Sequence, residues 1–215
     1  LHKKSFTLRD TGLQLKNTMV TRDSKHRDYI VNRWINLKRD ITQSIKQMLF
    51  QILESPNKRA WSTASNVLAT IASVEVPREM WNEFINEITS RCIQNEKHSL
   101  KLASFQTLGY FCEEINLLEL SQSLNSYSNT ILNAINVGLV INEDNNNEVA
   151  LTQSMDIRQV AMIALKNSMG FIAHIFTNEQ YRNIIFSLIF DNLVLNSIHL
   201  RLNAFQCLVS IADLY

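Results

Sequence analysis

The sequence predicts an all-α fold, a right-handed solenoid of stacked helix pairs, and three observations lead there. Only 4 Gly and 2 Pro punctuate 215 residues, too few for a β-sandwich or barrel with a turn about every 8 to 12 positions. Apolar residues recur 3 or 4 apart, as in Ile41, Ile45, Met48, Leu49 and Ile52 or in Trp81, Phe84, Ile85 and Ile88, which is the spacing of one helix face. A short pattern also repeats at intervals of roughly 40 to 47 residues, the length of a two-helix HEAT-type unit.

That pattern is a small residue, two spacers, another small or apolar residue, then Leu. It fits 64–68 (ASNVL), 104–108 (SFQTL), 161–165 (AMIAL) and 204–208 (AFQCL), with 11–15 (TGLQL) as a weaker copy. A second echo joins Leu15 to Met19 (LKNTM) with Leu165 to Met169 (LKNSM). Small residues at the repeated positions let neighbouring helix pairs approach closely. Three residues before the first small position stand Lys101, Arg158 and Arg201, expected to bond the neighbouring turn as a basic ladder, with Asp156 beside Arg158 as one partner.

Taken in order, the units fall at 1–37, 38–75, 77–115, 118–170 and 176–215 of a single solenoid. In the first, Thr21 to Leu37 is extra length. In the second, Pro56 marks the turn between two helices. The third starts near Pro77, where a first helical turn tolerates proline, after a helix ending near Val74. The fourth is lengthened by a loop over 141–155, because 141–148 (INEDNNNE) is too polar to bury anything. The last ends in the AFQCL copy. Such a stack lines its concave face with second helices and its convex face with first helices.

Composition narrows function. The chain is 46% hydrophobic and 19% charged, a globular balance. Net charge is +1 with both signs interleaved, so nucleic acid is not an expected partner. No run approaches the ~20 apolar residues of a membrane span, and no targeting segment follows Leu1. A first residue other than Met makes a longer parent chain the expectation. Cys92, Cys112 and Cys207 are odd in number and lie in apolar contexts, as reduced core thiols of a cytosolic or nuclear protein do. His2, His26, His98, His174 and His199 share no metal spacing, and Glu113, Glu114 and Asp144 have no partner base. Neither an enzyme nor a cofactor is expected.

Three passages then lie in order along the chain. They are 11–17 (TGLQLKN) continuing to Tyr29–Trp34, then 69–77 (ATIASVEVP) continuing to 81–85 (WNEFI), then 108–115 (LGYFCEEI). Together they resemble the amino-terminal part of the importin β family, and the likeness extends to the end of the chain. The second passage looks like that family's "IA..E.P...WPELI" stretch, with Asn82 in place of the usual Pro. The resemblance implies a nuclear transport receptor that lacks its first repeat and most later ones, passing between cytoplasm and nucleus through the pore and catalysing nothing.

It also implies two surfaces. A convex groove for nucleoporin phenylalanines would be lined by Leu132, Asn133 and Asn136 on one side and Tyr181, Ile184 and Ile185 on the other. Asn136 stands where the family carries an apolar residue, which weakens the pocket or shifts contact to Ile135. A concave surface for the GTP form of Ran would present Arg9, Lys16, Arg59, Ser62 and Gln106. Cargo, direct or through importin α, would bind mostly outside these residues. The competing reading for each position is ordinary packing or a solvated helix face. Trp34 and Trp81 read as core; Trp61, in the place of the basic residue of later units, reads as either core or contact. The rival for the whole chain is a static HEAT scaffold of the phosphatase or coat-complex type. An armadillo-type adaptor would need three helices per unit and a groove of asparagines.

Overall fold

The computed structural model describes residues 24–94, 97–117, 121–140 and 148–214. Among them are nine α-helices and no strand. In chain order these are α1 (Ser24–Ile35), α2 (Arg39–Leu53), α3 (Lys58–Glu75), α4 (Phe84–Gln94), α5 (His98–Leu117), α6 (Ser128–Leu139), α7 (Glu148–Ile172), α8 (Glu179–Leu193) and α9 (Ile198–Leu214). From α2 onward they pair as α2/α3, α4/α5, α6/α7 and α8/α9, each second helix packed on its own first helix. The second helices also stack side by side in the order α3, α5, α7, α9. This is a right-handed α-solenoid of HEAT repeats.

Local sequence sets the pairs. Pro56 and Asn57 form the turn between α2 and α3, where the Asn57 side chain accepts from the amides of Arg59 and Ala60 at 2.9 and 3.4 Å, an N-cap that satisfies orphan donors of the first turn. Asn178 caps α8 in the same way, accepting from Gln180 at 2.9 Å. α2 turns Leu49, Phe50 and Leu53 into the core, whereas Ile45 and Ile52 are half-buried and Ile41 and Met48 exposed. The apolar set expected on one face therefore spreads over an inner face and a flank.

Two boundaries differ from expectation. Pro77 does not start the next helix: it sits in a 3₁₀ turn, Val76–Arg78, followed by Glu79 in the left-handed region at φ 59°, and α4 begins only at Phe84. Pro77 lacks the amide that an ongoing α3 would need, so the chain turns there instead. Residues 148–155, expected as loop, are the first two turns of α7, because Val149, Thr152 and Met155 onward already follow helical spacing; residues 141–147 lie outside the described set. The extra length after Thr21 contains a regular helix, α1, whose Val31 and Trp34 are buried.

One continuous apolar cluster runs between the two rows of helices. Phe50, Trp81, Phe84 and Phe111 form a chain of ring contacts with centroids 6.0, 4.9 and 5.1 Å apart, each tilted or edge-on as aromatic quadrupoles prefer. Close approach is concentrated where residues are small. A Cβ on Gly109 would meet Ala164 at ordinary contact of 3.5 Å, but one on Gly138 would stand 2.6 Å from the Phe105 ring. The ring of α5 is thus seated in a notch of α6.

Candidate functional site

The row of second helices presents the positions tied to Ran. Arg9 and Lys16 lie outside the described residues. Arg59 is exposed on the first turn of α3, and Ser62 one turn on is half-buried. Gln106 of α5 joins them: its Nε2 donates to Ser62 Oγ at 3.3 Å and to Tyr110 Oη at 2.7 Å. Three of the five expected residues are therefore neighbours on one surface. Gln106 and Tyr110 also line a cavity of about 320 Å³, together with Lys58, Trp61, Phe105 and Asp156. Trp61 is 5% exposed, which settles its two readings in favour of core.

The basic ladder is not what links these helices. Lys101, Arg158 and Arg201 form no ion pair among the described residues; Asp156 instead faces His98, with Nε2 and Oδ2 3.7 Å apart. Arg158 is buried, its Nε without a hydrogen-bond partner, and desolvation lowers its pKa. The rungs are uncharged. Ser65 Oγ donates to the Ala103 carbonyl at 3.1 Å, Asn167 Nδ2 donates to the Gly109 carbonyl at 3.1 Å, and Asn116 Nδ2 returns a bond to the Asn167 carbonyl. A side-chain amide can reach a neighbouring backbone without the desolvation cost of a buried charge. A Cβ on Gly170 would lie 2.6 Å from Asn116 Oδ1, so the rung between α5 and α7 depends on that glycine.

On the row of first helices, α6 and α8 run beside each other, bridged by Asn192, whose Nδ2 donates to the Leu139 carbonyl at 3.4 Å. Of the six positions tied to the nucleoporin groove, Asn133 and Ile184 are exposed, Asn136 and Tyr181 half-buried, and Leu132 and Ile185 buried. The buried pair forms part of the core, and the other four are at least partly accessible. Val137 of α6 and Val140 just past its end are exposed as well. Val137 lies four residues from Asn133 and Val140 four from Asn136, so each falls near that asparagine's side of the helix.

The motif residues Glu75 and Trp81 do something else. Glu75 is buried at the end of α3, accepting from Trp34 Nε1 of α1 at 2.9 Å and from Lys46 Nζ of α2 at 2.7 Å. The same ammonium lies 4.3 Å from the centroid of Trp81, a cation–π contact. One carboxylate thereby fastens three helices. Trp34 and Trp81 are core, as expected.

Among the described residues no group of three His, Cys, Asp or Glu is placed to hold a metal, and no helix is long and apolar enough to cross a membrane. No family model matches the chain. Sequence comparison finds importin subunit beta-1 of Arabidopsis thaliana, 34% identical over 95% of this chain and 22% of the relative, and that of Saccharomyces cerevisiae, 30% identical over the same shares. A solved importin beta superposes with a TM-score of 0.82 at 29% identity, over 96% of this chain and 23% of the other. The chain is an importin β homologue. Yeast importin-beta, Kap95p, superposes with a TM-score of 0.81 at 30% identity, over 95% and 22%. Kap95p also superposes in the structure in which its binding induces the switch loops of RanGDP to adopt the GTP-bound conformation, with a TM-score of 0.75 at 26% identity, over 94% and 21%. The chain spans less than a quarter of the length of these importin β proteins.

Proposed function

We propose that this chain is part of a nuclear transport receptor, taking Ran on its second-helix face and phenylalanine-glycine nucleoporins on its first-helix face, and passing between cytoplasm and nucleus through the pore. The observation that carries the reading is homology over nearly the whole chain to importin β proteins, one of which acts on Ran. The cluster of Arg59, Ser62, Gln106 and Tyr110 supports the Ran surface. A charged rim beside amide and hydroxyl groups suits a partner that must be held and then released, because rim charges steer encounter more than they add affinity. On the other face, Ile184 and Val137 are accessible apolar contacts beside Asn133 and Asn136. A buried Phe side chain contributes only ~1.5 to 3 kcal/mol, so one such groove exchanges quickly, and retention in a dense mesh comes from several grooves together. Importin α or direct cargo would bind mainly on parts of the receptor beyond these residues.

Two measurements test the reading. Titration calorimetry with Ran locked in its GTP state should give saturable binding that weakens at least tenfold with Ran in its GDP state; equal affinity for both would remove the release mechanism. Retention on an immobilised phenylalanine-glycine repeat should fall several-fold in Ile184→Asp while the melting temperature stays within a few degrees. Loss of helicity in that variant, or unchanged retention, would remove the groove.

A further inference from the structure

Two of the seams between neighbouring first helices are held in opposite ways. Between α2 and α4 the polar contacts lie on the outside. Arg91 of α4 sits over the Phe50 ring of α2, 4.6 Å from its centroid, and pairs with Glu54 at 3.7 Å, so charge roofs the apolar seam. Between α6 and α8 the polar contact lies beneath. Asn192 is 0% exposed, on the α8 face that otherwise buries Ile185, Leu188 and Ile189. Its Nδ2 donates to the Leu139 carbonyl at 3.4 Å and to the Leu188 carbonyl at 2.8 Å. Among the described residues no other hydrogen bond joins α6 to α8, and no ion pair crosses between them. Ile184 is left 41% exposed, and Asn136 and Tyr181 half-buried.

An amide at this position is unfavourable unless its direction matters. It interrupts an apolar stripe, and its Oδ1 is buried without a hydrogen-bond partner, which a leucine of similar volume would avoid. What leucine lacks is aim. Leu139 closes α6, and the last carbonyls of a helix have no partner within it. A donor held against its own turn at Leu188 reaches such a carbonyl only when the two helices stand at one separation and one offset. A lone buried asparagine fixes register between packed helices in the same way. We propose that Asn192 is a positioning residue: it sets the spacing of α6 and α8, and that spacing makes the groove between them favour a flat phenyl ring over a branched aliphatic side chain. The selectivity rests on the nucleoporin reading of the groove, whereas the spacing follows from the tie alone. A branched side chain is thicker than a ring, so it enters only if the helices part. The tie opposes that movement; without it the helices adjust to either shape.

Asn192→Leu keeps the volume and removes the tie. Nitroxides on Val140→Cys and Ser187→Cys, both at exposed positions, report the spacing by electron paramagnetic resonance; Cys92, Cys112 and Cys207 are buried and escape labelling. A single narrow separation is expected in the parent chain and a broader or longer one with Asn192→Leu. NMR titration with phenylalanine-glycine and leucine-glycine repeat peptides reads the selectivity. The parent should favour phenylalanine by about tenfold, the low end of what an apolar pocket draws from a small difference in shape, and Asn192→Leu by no more than about twofold. The melting temperature should stay close to the parent's, because loss of the bond is offset by removal of the partnerless Oδ1. Asn192→Ala, which cannot overpack the site, should lose selectivity likewise. A merely structural asparagine would show the reverse, stability lost and selectivity kept, and that result overturns the proposal. An unchanged label separation overturns the role of Asn192 whatever binds. A parent chain that takes neither peptide overturns the nucleoporin reading, and the selectivity with it.

Discussion

Gly138 and Gly109 look alike in the sequence, each a lone glycine inside a helix, and the structure separates them. The hydrogen of Gly138 leaves room for the buried Phe105 ring, so Gly138→Ala should cost about 1 to 3 kcal/mol by overpacking. Gly109 has ordinary contact with Ala164, so Gly109→Ala should be neutral or add up to ~1 kcal/mol through helix propensity. Paired urea unfolding of the two variants checks the sign of each. Trp61 marks the limit of reading single residues. Its place in the repeat pattern is basic elsewhere, which left both readings open, and what decides it is α5 packing across it. The asparagine rungs were less legible still. Asn116 and Asn167 meet only because α5 and α7 stack, and no spacing within one helix announces that.

At the scale of elements, the boundaries that agreed with expectation are those with a local chemical cause. Pro56 with Asn57 ends one helix and caps the next, so that turn was legible. The 148–155 stretch was not, because polar residues before an apolar run fit both a loop and an exposed first turn. The fastening at Glu75 gives an element-scale prediction. Glu75→Ala leaves the Lys46 ammonium and the Trp34 indole without their acceptor, and removing one partner of a buried pair costs about 3 to 5 kcal/mol. Hydrogen exchange should show the loss concentrated in α1 and α2, with α8 and α9 retaining their protection, since solenoid units contact only their neighbours. Uniform loss of protection would mean that the carboxylate holds more than its own three helices.

For the whole molecule, the recurring pattern made the architecture readable where single sites were not. Five copies of a small-residue and Leu frame define a stack even though none of them identifies a partner. All three thiols belong to that shared core. Burial raises their pKa values, that of Cys207 to about 12 from 9.0, and those of Cys92 and Cys112 likewise. The protonated thiol is the folded form, so its contribution to stability is complete below pH ~9 and is lost as pH rises toward 12, by about 1.4 kcal/mol per pH unit for each thiol. Unfolding free energy measured from pH 8 to 11 should therefore fall less steeply in Cys207→Ala than in the parent chain. An unchanged slope would show that other groups govern the alkaline limit.

The seat of Phe105 in α6 reaches further than its own energy. Rotation of one helix pair relative to the next is limited where a rigid ring meets a gap one hydrogen wide. A change of angle at one joint is carried undiminished to everything beyond it, so a methyl added at that gap would swing one part of the stack against the other while the joints on either side keep their own geometry.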